Sequence, residues 1–322
     1  TRARGIRLLR NARNLGFVGS CNAAFAQARG EYALFLNNDT EVQAGWLDAM
    51  LDAFRRRPDA GAVGAKLLYP DNTLQEAGCV VWRDRAAWNY GRGGDPDAPE
   101  HNYLRPADYC SAAALMVRAD LLRRAGGFDP AYAPAYCDDS DLCFRLRSFG
   151  YETYYQPRAR VVHREGTTHG TDTGAGIKAC QVANRRKFVE RWAGVLSHAH
   201  FANGMRIPRA RDRSKYRRTV LVIDHETPRP DRDAGSRTIG HFLRALVDAG
   251  YVAKFWPRNL GYAPGYAEAL QDMGIETFHD PDHPSLAAWL RLNGREIDHV
   301  LLCRPDVARD CLCDLRAHTH AR

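Results

Sequence analysis

The run Tyr32-Ala33-Leu34-Phe35-Leu36 stops abruptly at Asn37-Asn38-Asp39-Thr40. A short apolar and aromatic run that ends in a cluster of polar oxygens predicts a buried strand delivering a carboxylate to its carboxyl-terminal edge. In open α/β sheets that edge is where ligands bind. The feature therefore constrains both the fold and the place to look for chemistry.

Strand and helix patterns alternate around it. Residues 6–10 (IRLLR) predict a short strand. CNAAFAQARG predicts a helix closed by Gly30 as a C-cap. Trp46, Leu47, Met50, Leu51 and Phe54 recur at helical spacing, Arg55 to Arg57 suit the last turn of that helix, and Pro58 ends it. Residues 62–69 and 109–117 predict strands, and 119–127 a short helix closed by glycines. The stretch 70–106 reads as irregular loops or a hairpin of the kind that lines a site. Ser140 or Asp139 is placed to cap a helix running to about Phe149. Residues 151–155 and 159–163 predict two short strands. A helix over 176–193 would turn Val182, Phe188, Val189 and Trp192 to one face.

Seven of the fourteen residues from 205 to 218 are Lys or Arg. This predicts a solvated basic linker, with contact to anionic lipid headgroups as the sharper alternative. Beyond it the alternation resumes: strand 219–224, an amphipathic helix with Ile239, Phe242, Leu243, Leu246 and Val247 inward, a strand at 251–257, a helix near 263–273, a short strand, a helix near 284–293 and a strand at 298–304. Regular alternation predicts a parallel sheet with right-handed crossovers. The domains expected are 1–204, the linker 205–218, and 219–322.

Three clusters carry possible chemistry. Asp39 is a hard oxygen ligand suited to Mg²⁺ or Mn²⁺, and His163, at a predicted strand end, would add a nitrogen that Mn²⁺ accepts more readily. Asp138 and Asp139 are adjacent carboxylates before a helix, whose amino terminus would favour the ionised form of a base. Each also has an ordinary structural reading: NND as a turn, DDSD as a helix cap, His163 as a buried structural residue. Their shared placement at element edges of one α/β domain favours a site. The net charge of +8 suits anionic partners such as nucleotides and diphosphates. It also suits nucleic acid, but no reading motif or aromatic-interleaved basic face accompanies it. Nine cysteines without a CxxC pair predict reduced, mostly buried thiols in a cytosolic protein and no zinc ribbon. No apolar run reaches transmembrane length.

The segments RNLGFVGSCNAAFAQARGEYALFLNNDTEVQAGWLDAM, VGAKLLYPDNTLQEAG, NYGRGG, GGFDPAYAPAYCDDSDLCFRLRSFGYETYYQP and ARVVHREG are collinear from about Arg7 to Gly170 and cover half the chain. Together they resemble the inverting family 2 glycosyltransferases of GT-A type, in the bacterial rhamnosyltransferase-like branch. The resemblance implies a GT-A mixed-sheet nucleotide-sugar transferase domain, and it implies roles. Asp39, with Asn38, stands at the DxD-type motif that holds the metal on the donor diphosphate, and His163 would be the late metal ligand. Asn14, Gly16 and Asn22 match the segment lying against the donor. Asp139 would deprotonate the acceptor hydroxyl beside Asp138, while Asp141 and Arg145 orient their loop.

Asp138 stands where Glu is usual, Arg164 where a second His is common, and Ala112 where Gly is frequent. The family's opening strand and its DNxSxDG-like base-binding segment do not precede Thr1, so the chain reads as cut from a longer protein. VLVIDHETPRPDRDAGSRT resembles the start of a family 4, GT-B type transferase, which implies a Rossmann-like parallel α/β half-domain after the linker. At DAGSRT an ordinary helix cap is expected rather than an anion site.

The partners implied are a nucleotide-diphosphate sugar and a glycan or lipid-linked glycan acceptor. The place implied is the cytoplasm, with peripheral contact at the inner membrane, in O-antigen-like polysaccharide synthesis. The alternative is a glycan- or diphosphate-binding module without turnover.

Overall fold

The computed structural model describes residues 5–84, 86–164, 179–279 and 285–321. The end of the ARVVHREG segment and the first residues of the helix expected at 176–193 lie outside these described residues.

In chain order the first half contains α1 (Gly16–Phe25), β1 (Tyr32–Leu36), β2 (Thr40–Val42), α2 (Trp46–Arg56), β3 (Ala60–Leu68), β4 (Leu74–Glu76), β5 (Cys79–Val81), β6 (Ala87–Asn89), β7 (Arg105–Ala107), β8 (Ala114–Arg118), α3 (Ala119–Ala125), α4 (Asp138–Ser148), β9 (Glu152–His163) and α5 (Ala179–Ala199). These strands build a mixed sheet in the order β1-β8-β3-β9-β2, with β4 added to β3 and β7 to β9. β8 runs antiparallel to both β1 and β3, while β3 and β9 run parallel. β3 is buried along its whole length, because helices and loops cover both of its faces. On one face Met50, Ala53 and Phe54 of α2 pack on the sheet; each large apolar side chain buried this way is worth roughly 1.5–3 kcal/mol. On the other face Val18 of α1 and Leu142, Cys143 and Leu146 of α4 close the core.

The second half contains α6 (Ile207–Arg211), β10 (Thr219–Asp224), α7 (Ala234–Asp248), β11 (Val252–Pro257), α8 (Tyr266–Asp272), β12 (Glu276–Thr277), α9 (Leu286–Asn293), β13 (His299–Leu302) and α10 (Pro305–His318). Its sheet is wholly parallel in the order β12-β11-β10-β13, as the alternation predicts. Asp233 caps α7, accepting from the Ser236 backbone N–H at 2.7 Å, which is the ordinary cap expected there.

Several expectations are corrected. Residues 6–10 form no strand; they pair with nothing among the described residues, and Ile6 and Leu8 are exposed. α1 starts at Gly16 rather than at Cys21 and ends before Gly30, because a left-handed turn at Gly16 launches it early. Residues 109–113 approach β8 as a turn rather than as strand. The two short strands expected at 151–163 are one continuous strand that absorbs a register shift against β3. Val182 and Phe242, expected inward, are exposed, since each sits at the margin of its helix's apolar face. All nine cysteines are free, but only Cys79, Cys110, Cys143 and Cys311 are fully buried.

The basic stretch is not a solvated linker. Arg209, Arg211, Asp212 and Ser214 are all buried. Arg209 donates to Asp298 at 2.6 Å and Glu296 at 3.0 Å. Arg211 reaches Glu276 at 2.7 Å, Lys254 also pairs with Glu276, and Tyr103 bonds Asp212. Arg105 donates to the Arg211 carbonyl at 2.9 Å. Asp212 pairs with its neighbour Arg211 at 3.1 Å, but the other carboxylates that neutralise Arg209 and Arg211 lie more than sixty residues further along the chain, where local charge counting could not reveal them.

Candidate active site

α4 starts directly at Asp138, preceded by Tyr136 and Cys137 with φ of 75° and 65°. Two consecutive non-glycine residues in the left-handed region cost on the order of 1–3 kcal/mol each and persist only where the surroundings hold them. Here Asn184 of α5 holds them. It is 1% exposed, and its side-chain N–H group donates to the carbonyls of Tyr132 at 2.8 Å and Ala135 at 2.9 Å. From the other side the Val18 N–H of α1 donates to the Pro134 carbonyl at 3.2 Å. Gly16 has φ +66°, and a Cβ there would lie 2.6 Å from the Pro134 side chain, so α1 approaches this turn closely only because Gly16 lacks one.

Neither Ser140 nor Asp139 caps α4; both lie within its first turn. Asp139 Oδ1 accepts from the Ser140 N–H at 2.7 Å and Oδ2 from the Ala112 N–H at 3.3 Å. The helix start does favour the ionised form of Asp139, as expected, through the N–H of Ser140, but burial outweighs it. Burial raises its pKa against the hydrogen bonds from Ser140 and Ala112. Burial first, and the Asp139 charge second, push Asp138 up to about 8. Adjacent acids of this kind titrate as a pair, and a base poised nearer neutrality suits proton abstraction at physiological pH. Asp141 is fully buried and accepts from Arg145 at 2.7 Å and Trp192 at 2.9 Å. Arg145 also donates to the Gly127 carbonyl at 2.9 Å, so this pair ties the loop before α4 in place.

Asp39 and His163 come from opposite ends of the first half and meet because β2 pairs with the last residues of β9, setting Thr40 opposite His163. His163 Nε2 lies 3.3 Å from Asp39 Oδ1 and 3.4 Å from Asn37 Nδ2. Its Nδ1 lies 2.8 Å from Gln75 Oε1. An Nδ1–H donated to Gln75 leaves the Nε2 lone pair facing Asp39, the arrangement that prepares an imidazole to ligate a metal. No group of three or more His, Cys, Asp or Glu gathers closely enough to hold a metal alone among the described residues. A carboxylate and an imidazole are still a fitting donor set for a cation whose other positions are filled by phosphate oxygens and water.

A cavity of about 370 Å³ opens between the start of α4 and α5. Of the expected site residues, Asp138 and Asp139 line it; Asn37, of the NND turn, joins them. Asn37 bridges the two clusters, its backbone N–H bonded to Ala113 at 3.0 Å, next to the Ala112 that bonds Asp139. Asp39, His163, Asn14, Gly16, Asn22 and Asn38 do not line the cavity. Asn14 Oδ1 accepts from the Gly16 N–H at 2.8 Å, and Asn38 is exposed. Asn22 has both ends of its amide on the Phe128 backbone, at 2.7 and 2.9 Å, so here it anchors α1. Sequence reasoning missed Gln75, Asn184 and the cavity wall of Gln181, Arg185 and Phe188. The wall carried a legible signal: its residues recur at i, i+4 and i+7.

The mixed α/β sheet thus places an acid pair on one cavity and a carboxylate–imidazole pair outside its lining, with Asn37 between them. Residues 2–112 match the model of the Glycosyl transferase family 2. Curated relatives include the O-antigen biosynthesis protein RfbC of Myxococcus xanthus, 34% identical over 47% of this chain and 12% of its own length. The N-acetylglucosaminyl-diphospho-decaprenol L-rhamnosyltransferase of Mycobacterium tuberculosis is 30% identical over 54% of this chain and 64% of its own. Protein y4gI of Sinorhizobium fredii is 33% identical over 52% of this chain and 19% of its own. The chain thus spans less than two thirds of each of these relatives. Among the described residues no helix is long and apolar enough to cross a membrane.

Proposed function

We propose that this chain transfers a sugar from a nucleoside-diphosphate donor to an acceptor hydroxyl with inversion, in the building of a bacterial surface polysaccharide of the O-antigen kind. The observation that carries this reading is the buried Asp138–Asp139 pair, opening on a cavity beside the Asp39–His163 pair. Asp139 takes the proton of the acceptor hydroxyl as that oxygen attacks the anomeric carbon. The bond from that carbon to the donor diphosphate breaks, and its electron pair leaves with the diphosphate. Asp138 shares the proton load of the pair. Asp39 and His163 would hold a divalent cation, Mg²⁺ or Mn²⁺, which when bound supplies positive charge to the leaving group. Asn14, Gly16, Asn22 and Asn38 belong to the donor side, Asn22 by fixing α1 rather than by touching ligand.

The relatives' names support a glycan or lipid-linked glycan acceptor. One is named for O-antigen biosynthesis and another for rhamnosyl transfer onto a diphospho-decaprenol-linked sugar. We place the work at the cytoplasmic face of the inner membrane, in peripheral contact with it. We read 219–322 as the amino-terminal part of a GT-B transferase, joined at 205–218 to the family 2 unit.

Asp139→Asn should abolish nucleoside diphosphate release from a nucleotide sugar while sparing Mn²⁺-dependent nucleotide binding measured by calorimetry. Retained turnover removes Asp139 from the base role. Asp39→Ala should weaken that metal-dependent binding, and an unchanged metal requirement would sink the cation assignment. Nucleotide binding by the unaltered chain with no turnover at all would favour a binding module instead.

A further inference from the structure

We propose that a second cavity, lined by Arg209, Arg213, Lys215 and Arg217, is an anion site that takes a single phosphoryl group. It is built from residues that the transfer reading does not use. Of its described lining residues, Val81 alone also lines the cavity of the acid pair.

The cavity measures about 250 Å³ and opens between the end of α5 and the turn that follows α6. The basic stretch 205–218 supplies all four cations. Among the described lining residues they face one carboxylate, Asp108. Two of the four are neutralised. Arg209 pairs with Glu296 and Asp298, and Arg213 with Asp108 at 3.0 Å and with Glu152. Asp108 is spent in turn, since its other oxygen accepts from the Val81 N–H at 2.8 Å.

Lys215 and Arg217 differ from that pair. Lys215 Nζ donates to the carbonyls of His198 and His200, the latter at 3.1 Å. Arg217 donates through Nε to the Gly250 carbonyl at 2.9 Å and through Nη2 to the Tyr251 carbonyl at 3.1 Å. Among the described residues neither pairs with a carboxylate. Carbonyl dipoles fix both side chains in place but carry no net charge, so positive charge stays unmatched at one wall. Like charges held this close repel each other and attract an anion.

Three donor positions are unused as well. Arg213 Nη2, Arg217 Nη1 and the third N–H of the Lys215 ammonium have no hydrogen-bond partner among the described residues. A phosphoryl group offers three strong acceptor oxygens, and charged donors make the short, strong bonds that hold them. Phe201 and Tyr216 flank the ammonium, with Nζ 5.7 and 5.6 Å from their ring centres. Tyr216 is 68% exposed and marks the mouth. The cavity is smaller than the roughly 300–1,000 Å³ that houses a whole small molecule. It therefore fits a phosphoryl head whose remainder passes out beside Tyr216. Such a head belongs to a soluble phosphomonoester or to an anionic lipid.

The test is calorimetry on the full chain in EDTA, which silences the Asp39–His163 pair. The probes are inorganic phosphate, glycerol 3-phosphate, and phosphatidylcholine vesicles with and without phosphatidic acid. Phosphate and glycerol 3-phosphate should bind saturably without metal. Lys215→Gln should weaken both about 10- to 100-fold, the range of a hydrogen bond to a charged group, and adding Arg217→Gln should abolish binding. Arg258→Gln removes an equal charge at an exposed site, where Arg258 pairs with Asp306 and Asp310, and should change nothing. Phosphate should raise the urea midpoint of the unaltered chain and not that of Lys215→Gln, a comparison that holds whatever that variant's own stability. Absence of metal-free phosphate binding to the unaltered chain overturns the proposal, as does equal weakening in Lys215→Gln and Arg258→Gln. Phosphatidic acid vesicles that bind and are displaced by glycerol 3-phosphate would support the site with a lipid head as its ligand. Saturable glycerol 3-phosphate binding without vesicle binding would support it with a soluble phosphomonoester.

Discussion

Two groups of buried carboxylates in this molecule behave in opposite ways. At the cavity, Asp138 and Asp139 are buried beside each other, and burial raises the proton affinity of both. At the seam between the two sheets, Asp212 and Glu276 are just as buried, yet Arg211 and Lys254 hold both below the usual carboxylate range despite the desolvation. Burial sets the cost of charge; a cation within hydrogen-bond reach decides whether the carboxylate keeps it. The seam has such cations and acts as a structural joint. Among the described residues no cation pairs with the acids of the cavity, and burial is left to raise their proton affinity.

The contrast can be broken most forcefully at the seam. Arg211→Met leaves Glu276 and Asp212 short of a buried counter-charge, and losing one partner of a buried pair typically costs about 3–5 kcal/mol. Urea denaturation should show a loss of that size, and a loss under about 1 kcal/mol would mean the seam behaves as a surface ion pair. Next comes the cavity. Asp139→Asn should lower turnover by about 10²- to 10⁴-fold, the usual weight of a general base, with unfolding free energy unchanged or slightly raised, since a desolvated acid is removed. A large stability loss in that variant would make Asp139 a structural residue like those of the seam.

Asn184→Ala should cost about 1–3 kcal/mol, because buried carbonyls lose their donor. It should depress turnover more than nucleotide binding, because the strained turn before Asp138 relaxes. Equal losses in both would argue for a general rather than a positioning effect. The smallest effect, and the sharpest, is in the pH dependence of stability. Asp138 has a raised pKa in the folded state, so its contribution is fully present below its ordinary value near 3.8 and is lost as pH rises through about 8. Asp212 and Glu276 have depressed values, so their contribution is present above the ordinary carboxylate range and is lost as pH falls below it. Asp138→Asn should therefore flatten the decline in stability between pH 4 and 8 and leave the acid limb untouched; a flattened acid limb would contradict this division.

The sequence carried the parallel sheet plainly, since each strand there is a compact apolar run and each helix has one apolar face. The acid pair and the Asp39–His163 pair were legible as edge residues. Their meeting was not, because it depends on the pairing of β2 with β9, over 120 residues apart. Arg209 and Arg211 were misleading for the same reason, as their partners arrive from 276–298. Asn184 was silent, since a polar residue in a helix normally faces water and nothing local marks this one as the donor to another segment's carbonyls. The early start of α1 was hidden by Gly16, whose left-handed φ resembles a loop residue in sequence.

β9 has twelve residues, which at about 3.3 Å each makes a rod of ~40 Å. Its first residue, Glu152, is gripped by Arg213 of the seam, and its last, His163, faces Asp39. One uninterrupted segment thus begins at the joint between the two sheets and ends at the residue we propose for the cation. Insertions or deletions along it would shift one end relative to the other, so the length of this strand acts as a ruler that ties the architecture of the second half to the chemistry of the first.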